Sequence, residues 1–400
     1  MRVLQVARQF YPKVGGIESC VLNLSRGLVA RGHSVEVVTL DRDLRTGKRL
    51  DSPASIDSIA IHRIPFVGSR RYPIAPAWLR FIDDFDVLHV HAIDFFVDSA
   101  ALSKRLGMHG KPIVVTTHGG IFHTSALRAV KDLYWRNVLR RSLGVVAAVV
   151  AVSERDTELF RSIVPQGKLV TIPNGIDSAF GTAGRHPVPG TPYPVPVTAQ
   201  PIAYSHSATA TSRVRGRIVC VGRVTKAKAI DKVVQLVARV AKDLPAVEII
   251  VAGPDENGMG ETLRRESSAL GLGSRVHIVG ELPIEQLAAL VASAHLFISA
   301  APHEGFGITT VEALSAGVPV LVTRTGIHEQ VVRSGVNGWF WSGLPDAAAA
   351  AILREALLLP DARLDEMRLA ARASAAPFDW NSTTDRYERV LESAYRENLG

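Results

Sequence analysis

The segment Ser299-Ala300-Ala301-Pro302-His303-Glu304-Gly305-Phe306-Gly307, continuing to Glu312, carries the strongest chemical signal in the chain. An apolar strand ends there, a glycine-flanked turn follows, and a helix is predicted to start near Ile308. Free N–H groups at a helix N-terminus favour phosphate, and Gly305 and Gly307 let the main chain approach a ligand closely. A carboxylate beside a phosphate is repelled. Glu304 and Glu312 are therefore expected to accept hydrogen bonds from sugar hydroxyls. The alternative is that Glu304 caps the helix and Glu312 faces solvent. A second constellation, Val221-Gly222-Arg223 followed by Lys228, ends a buried strand with two cations five residues apart. An Arg fork and a Lys point charge together suit a diphosphate, although a solvated basic loop has the same composition. A third, the Gly15-Gly16 turn before the first helix, lets backbone touch the same diphosphate, or is simply a tight turn. The fourth is a histidine set. His89 and His91 share one face of a strand, His118 follows the strand Ile113–Thr117, and His123 lies five residues on. No Cys or HExxH partner accompanies them, which argues against zinc. A His at a strand's carboxyl end is better read as a hydrogen-bonding group aimed into a cleft, with His89 structural.

Strand and helix patterns alternate around these residues. Val3–Ala7, a helical face of Ile17, Val21, Leu24 and Leu28, and Val35–Leu40 form a β-α-β unit. Strands follow at Val87–Val90, Ile113–Thr117, Val145–Val152 and Leu169–Ile172. A second series runs through Ile218–Val221, Val247–Ala252, Val276–Val279, His295–Ser299 and Val318–Val322, with helices between. Such alternation predicts parallel sheets covered on both faces. The segment between the two series holds six prolines from Pro187 to Pro201 and no core pattern, so it reads as a linker or surface insertion. The expected organisation is an N-terminal α/β domain over 1–180, a Pro-rich segment over 181–214 and a C-terminal α/β domain over 215–378. A last helix, about 382–397, has an undefined packing face and is a candidate to return to the first domain. Open parallel sheets bind ligands at the carboxyl ends of their strands.

The chain has 400 residues, of which 47% are hydrophobic and 21% charged, so neither a disordered nor a fibrous protein is expected. No apolar run is long enough for a membrane span, and no hydrophobic leader precedes a small-residue cleavage site. Cys20 and Cys220 are isolated and fit a reducing cytosol. The net charge of +8 is uneven. Residues 1–214 hold 26 Lys and Arg against 16 Asp and Glu, and the remainder 20 against 22. One lobe is therefore expected to face an anionic partner.

In chain order, Gly15-Gly16, His118-Gly119-Gly120, Val152-Ser153-Glu154, Pro173-Asn174-Gly175-Ile176-Asp177, Val221-Gly222-Arg223 with Lys228, and Glu304-Gly305-Phe306-Gly307 with Glu312 form a set. The set resembles the retaining glycosyltransferases of family 4. The resemblance implies the GT-B fold, two Rossmann-like domains with parallel sheets facing each other across a cleft. Arg8-Gln9-Phe10, Arg71-Tyr72-Pro73-Ile74-Ala75-Pro76, Ile93-Asp94-Phe95-Phe96 and Thr117 to Thr124 look more narrowly like α-mannosyltransferases of bacterial exopolysaccharide assembly. Those enzymes move mannose from GDP-mannose to a cellobiosyl-diphosphopolyprenol acceptor in an α-1,3 linkage. By this resemblance Arg223 and Lys228 bind the donor diphosphate, Glu304 the transferred sugar, and Gly305 to Gly307 both sugar and phosphate. Glu312 takes the ribose, His118 meets the sugar at the reacting carbon, and His91, Asp94 and His123 are acceptor-side candidates. The chain departs from the family pattern at Ala229, where Gly is common after the lysine, and at Thr325-Gly326, where Gly-Gly is common before the later glutamate, here Glu329.

Departure of a diphosphate is mainly electrostatic work, which Arg223, Lys228 and a helix terminus supply, so no metal or cofactor is expected. Asp41-x-Asp43 is read as solvated. A transferase using UDP-glucose or UDP-GlcNAc and, in another class, a sugar-nucleotide 2-epimerase are the competing readings. No nucleic-acid module is recognised. A segment from about 124 to 143 reads as an amphipathic helix with Leu127, Val130, Tyr134 and Val138 in one stripe. Arg128, Lys131, Arg136, Arg140, Arg141 and Trp135 populate the remainder. It predicts peripheral binding to the anionic inner leaflet, assisted by Ser69-Arg70-Arg71-Tyr72; the alternative is a core-packed stripe with a solvated basic face.

Overall fold

Runs such as Val3-Leu4-Gln5-Val6 and Val35 to Leu40 are rich in β-branched residues and are buried on both sides, the signature of strands inside a parallel sheet. The computed structural model describes residues 1–399 except 13–14, 45, 51–53, 70–71, 120–127, 184–213 and 256–257. Two units emerge, one of residues 1–175 with 380–400, the other of residues 176–379.

The sheet of the first unit runs edge to edge through Leu169–Thr171, Ala148–Ala151, Ile113–Thr116, Val87–His91, Arg2–Val6, Ser34–Leu40, Ile59–Ile64 and Ser55–Ile56. Only the last pairing is antiparallel. The strand Ile59–Ile64 had no counterpart in the sequence reading. Strand order reverses beside Arg2–Val6: the chain first builds outward on one side, then returns to pair Val87–His91 on the other. One face packs on Trp78, Phe96, Leu139 and Phe160. The other packs on Leu24 and Leu28 of the helix Gly16–Ala30 and on Tyr387 and Leu391. The last two belong to the helix Trp380–Glu397, so the final helix has a defined face and sits in the first unit. Arg31 holds it through Asp385 at 2.6 Å and Glu388 at 3.3 Å. The Trp380 ring covers Gly175, where a Cβ would lie 2.5 Å from the indole.

The sheet of the second unit is wholly parallel, in the order Val276–Gly280, Glu248–Ala252, Arg217–Val221, Leu296–Ser299, Val320–Val322 and Gly338–Phe340. Its order reverses between Arg217–Val221 and Leu296–Ser299. The helix Ile230–Val240 buries Val233, Val234, Val237 and Val240 against Ile218, Ile249 and Leu296.

Two local expectations are corrected. Asp41 and Asp43 are not solvated: each is under 10% exposed, and the Asp43 carboxylate accepts the Thr46 N–H at 2.7 Å inside a tight turn. The basic helix is described from Arg128 to Gly144, with a π turn over Trp135–Leu139 between two α segments. The wider turn shifts the buried stripe to Trp135, Leu139 and Leu143. Trp135 is thus a core residue, its ring 4.8 Å from that of Phe160, and Val130 and Val138, expected inside, are exposed. Leu127 and Arg70-Arg71 lie outside the described residues.

Candidate active site

In the second unit the reversal of strand order leaves two strand ends side by side, the position at which open parallel sheets take ligands. From one comes Gly222-Arg223, from the other the loop to Glu304. Gly222 has φ of +143°, and a Cβ there would press on the Lys228 chain at 3.3 Å. Lys228 closes a short 3-10 turn, Lys226–Lys228, and its Nζ lies 2.6 Å from Glu304 Oε1. Glu304 is therefore not a helix cap; its carboxylate pairs with the cation proposed for phosphate. Arg223 is exposed at the same edge.

The turn Gly305-Phe306-Gly307 is anchored by its aromatic ring. Phe306 is buried with its ring 6.2 Å from that of Phe378, so Phe306 offers its backbone, not its side chain. Gly307 stands before the helix Ile308–Ser315 at φ +97° and leaves the helix N-terminus without a side-chain cap. Thr325, where the family pattern has Gly, accepts the Glu304 N–H on its hydroxyl at 3.0 Å. His328 is buried below. Its Nδ1 donates to the Thr323 carbonyl at 2.7 Å, which leaves Nε2 to accept from the Thr310 hydroxyl at 2.9 Å. Glu312 is partly buried rather than solvent-facing; desolvation, with Asp177 adding, pushes its pKa up to about 8. Ala229 adopts the left-handed conformation, φ +49°, that Gly takes without strain.

In the first unit the strand ends carry a row of neutral groups beside one ion pair. His91 ends the strand Val87–His91, and its Nδ1 lies 3.0 Å from His118 Nε2. Its Nε2 lies 2.7 Å from Gln5 Oε1. His89 reaches the Thr116 hydroxyl at 2.8 Å, and Thr116 donates to the Tyr387 hydroxyl at 3.3 Å. Burial lowers all three imidazoles, His118 to about 4 and His89 to about 3, and His91 well below its usual value. The turn carrying His118 is held by Asp156, whose carboxylate accepts from the Thr117 hydroxyl and from the Val152 N–H. Ser153 caps the helix that delivers Asp156.

Asp94 is buried, caps the helix Phe95–Arg105 through the Phe96 N–H at 2.8 Å and pairs with Arg8 at 3.1 Å. Burial outweighs Arg8 and raises its pKa to about 6. Its Oδ1 takes the Phe96 N–H, and its Oδ2 faces the Arg8 guanidinium. Gly15 and Gly16 open the helix Gly16–Ala30 with no side-chain cap. His123 lies outside the described residues.

No motif in the sequence marks Gln5, Asp156 or His328. A polar residue inside an apolar strand was the available signal for Gln5, and the cap at Ser153 for Asp156. Among the described residues one trio has metal-ligand spacing, His33, Glu388 and Glu392. It stands at the amino ends of the strands, and Arg31 and Arg396 already pair with its carboxylates.

A family model described as Glycosyltransferase Family 4 matches residues 14–180, and one described as Glycosyl transferases group 1 matches 211–374. A GDP-mannose:cellobiosyl-diphosphopolyprenol alpha-mannosyltransferase of Komagataeibacter xylinus is 34% identical over 406 residues, covering 100% of this chain and 94% of its own length. The chain belongs to glycosyltransferase family 4. A similarly named protein of Xanthomonas oryzae pv. oryzae is 35% identical over 97% of this glycosyltransferase and 95% of its own length. Among solved structures, Anabaena HepE in complex with UDP and glucose matches with a TM-score of 0.73 at 19% identity, covering 98% of this chain and 100% of its own. Sucrose-phosphate synthase from Thermosynechococcus elongatus matches at 0.75 with 18% identity, over 99% of each chain. The fold of this glycosyltransferase is GT-B, built on two Rossmann-like domains. Among the described residues no helix is long and apolar enough to cross a membrane.

Proposed function

We propose that this glycosyltransferase moves mannose, with retention, from GDP-mannose to a polyprenyl-diphosphate-linked oligosaccharide in exopolysaccharide assembly, as an α-1,3 linkage. The observation that carries the reading is identity of 34–35% along essentially the whole chain to relatives named for that donor and acceptor. Arg223 and Lys228 take the diphosphate. Glu304 takes a hexose hydroxyl, the backbone of Gly305 to Gly307 the sugar and phosphate, Glu312 the ribose, and His118 the sugar. The Lys228–Glu304 pair gives these roles an order. Without donor the two charges neutralise each other. A diphosphate draws Lys228 away and frees the Glu304 carboxylate for the hexose. Negative charge growing on the departing diphosphate is then met by fixed cations and the helix terminus, and a diphosphate oxygen accepts the proton of the acceptor hydroxyl. Transfer is therefore expected to survive EDTA, and an absolute Mg²⁺ or Mn²⁺ requirement would overturn the metal-free reading.

A panel of GDP-mannose, UDP-glucose and UDP-GlcNAc with a synthetic cellobiosyl lipid diphosphate tests the donor. GDP-mannose should give the fastest transfer. Preference for a UDP-sugar would replace the donor, and conversion of the sugar nucleotide without transfer would replace the reaction class with epimerisation.

The acceptor's lipid calls for a membrane surface, and we assign it to the first unit. Val130, Leu133 and Val138 point outward along the basic helix, exposed by 58%, 65% and 45%. Arg105 donates to the Arg141 carbonyl at 2.5 Å, which joins the exposed Leu102, Leu106 and Met108 to this face. Arg136, Arg140 and Arg141 are exposed on the same helix. Apolar residues among arginines suit anionic headgroups, each cation contributing about 1 kcal/mol near the surface. Co-sedimentation with phosphatidylglycerol vesicles should fall on Arg136→Glu/Arg140→Glu/Arg141→Glu substitution and at high salt. Retained binding by a folded triple variant would exclude this face.

A further inference from the structure

His118, His91 and Gln5 form a line across three neighbouring strand ends of the first unit, with contacts of 3.0 and 2.7 Å. Gln5 comes from the innermost strand, is fully buried, and its Nε2 has no hydrogen-bond partner in the described structure. A neutral imidazole carries one N–H and one bare nitrogen, so a row of them has a direction. The direction is set where the row ends on a group that is not a histidine. That end is Gln5. With the amide turned so that Oε1 faces His91, Oε1 accepts, His91 Nε2 carries the proton and His91 Nδ1 is bare. His91 Nδ1 must then accept from His118 Nε2–H, which leaves His118 Nδ1 with its lone pair.

We propose that Gln5 is a positioning residue: through His91 it holds His118 in the Nε2–H tautomer, so that His118 Nδ1 is presented as an acceptor for a substrate hydroxyl. The consequence for transfer rests on the reading that His118 meets the sugar; the tautomer does not. Asp156 supports the arrangement by fixing the turn on which His118 sits, through Thr117 and Val152.

Nitrogen-15 NMR of the full chain with labelled histidine, at pH 7, reads the tautomer in the wild-type protein, with His118 assigned from the spectrum of His118→Gln. The expected result is a proton on His118 Nε2 and a pyridine-like Nδ1. A proton on His118 Nδ1 overturns the proposal. Gln5→Met keeps the length and removes the acceptor. It should let His118 populate both tautomers and lower kcat by at least about tenfold, with Kd for GDP unchanged. Gln5→Glu, whose oxygens accept, should restore the single tautomer and most of kcat. A single wild-type tautomer in Gln5→Met overturns the proposal whatever happens to activity. Failure of mannosyl transfer in the wild type, with the tautomer as expected, counts against the transferase reading alone.

Discussion

Each of the two sheets reverses its strand order once, and the residues at the two reversals differ in kind. In the second unit the reversal carries opposite charges, with Lys228 on Glu304 at 2.6 Å and Arg223 at the same edge. In the first it carries uncharged rings in series, His118, His91 and an amide, Gln5, with its one ion pair, Arg8–Asp94, capping a helix beside the row. The same architecture thus yields a charged, exchangeable pair in one place and a neutral, directional row in the other. Topology supplies the position, and the residue types at the strand ends supply the chemistry. A pair of that sort is suited to a ligand that arrives charged. A neutral row is suited to one that offers hydroxyls.

Glu304→Gln is the sharpest way to break this comparison. Transfer should fall by roughly a hundredfold or more. Affinity for free GDP, by calorimetry, should hold or rise, because Lys228 loses its internal partner. Parallel loss of both would return Glu304 to a structural role. Next in size, Arg223→Ala and Lys228→Ala should each weaken GDP binding by about 1.5–3 kcal/mol; unchanged affinity in both would remove the diphosphate from this edge. Asp94 tests how well the first unit tolerates a buried charge beside that row. Burial raises its pKa to about 6, so the folded state binds its proton more tightly than the unfolded chain does. The stability it contributes is present below about pH 4 and is lost as pH rises through 6. Asp94→Asn keeps the cap and should gain about 3 kcal/mol relative to wild type between pH 4 and 7, read by urea denaturation. A constant difference across that range would show that Arg8 fully compensates the charge. The smallest effect is at Ala229, φ +49°. Ala229→Gly should raise stability by about 0.5–1 kcal/mol, and a lowered Tm would mean that the strain is absent.

Much of this organisation was legible in the sequence because it rests on runs and order. The two strand series stand in the structure, and so does the turn from Ser299 to Gly307 between strand and helix. What was not legible depends on contacts between distant residues. Gln5 meets His91 from 86 positions away, and nothing local marks an amide as the end of a hydrogen-bonded row. Thr325 reads as a departure from a Gly-Gly pattern until its hydroxyl is seen on the Glu304 backbone. The helix over Arg128 to Gly144 failed for another reason. Periodicity assumes 3.6 residues per turn, and a single π turn moves the stripe by enough to put Trp135 inside and Val138 outside. The final helix had too few apolar residues to declare a face, because Thr383, Thr384 and Tyr387 supply much of its buried side.

That helix makes the first unit a host and the second its guest. The chain leaves the host at Gly175 and re-enters at Trp380, and these two residues touch. Neighbouring chain ends are what a fold needs to tolerate a whole domain inserted between them. The second unit can therefore be exchanged as a cassette through two adjacent splice points, leaving the host's own sequence whole. Cutting the gene once, after 379, does something else: it strips the cover from Leu24 and Leu28 and leaves Arg31 without Asp385 and Glu388. Residues 380–400 are the closing piece of the first unit.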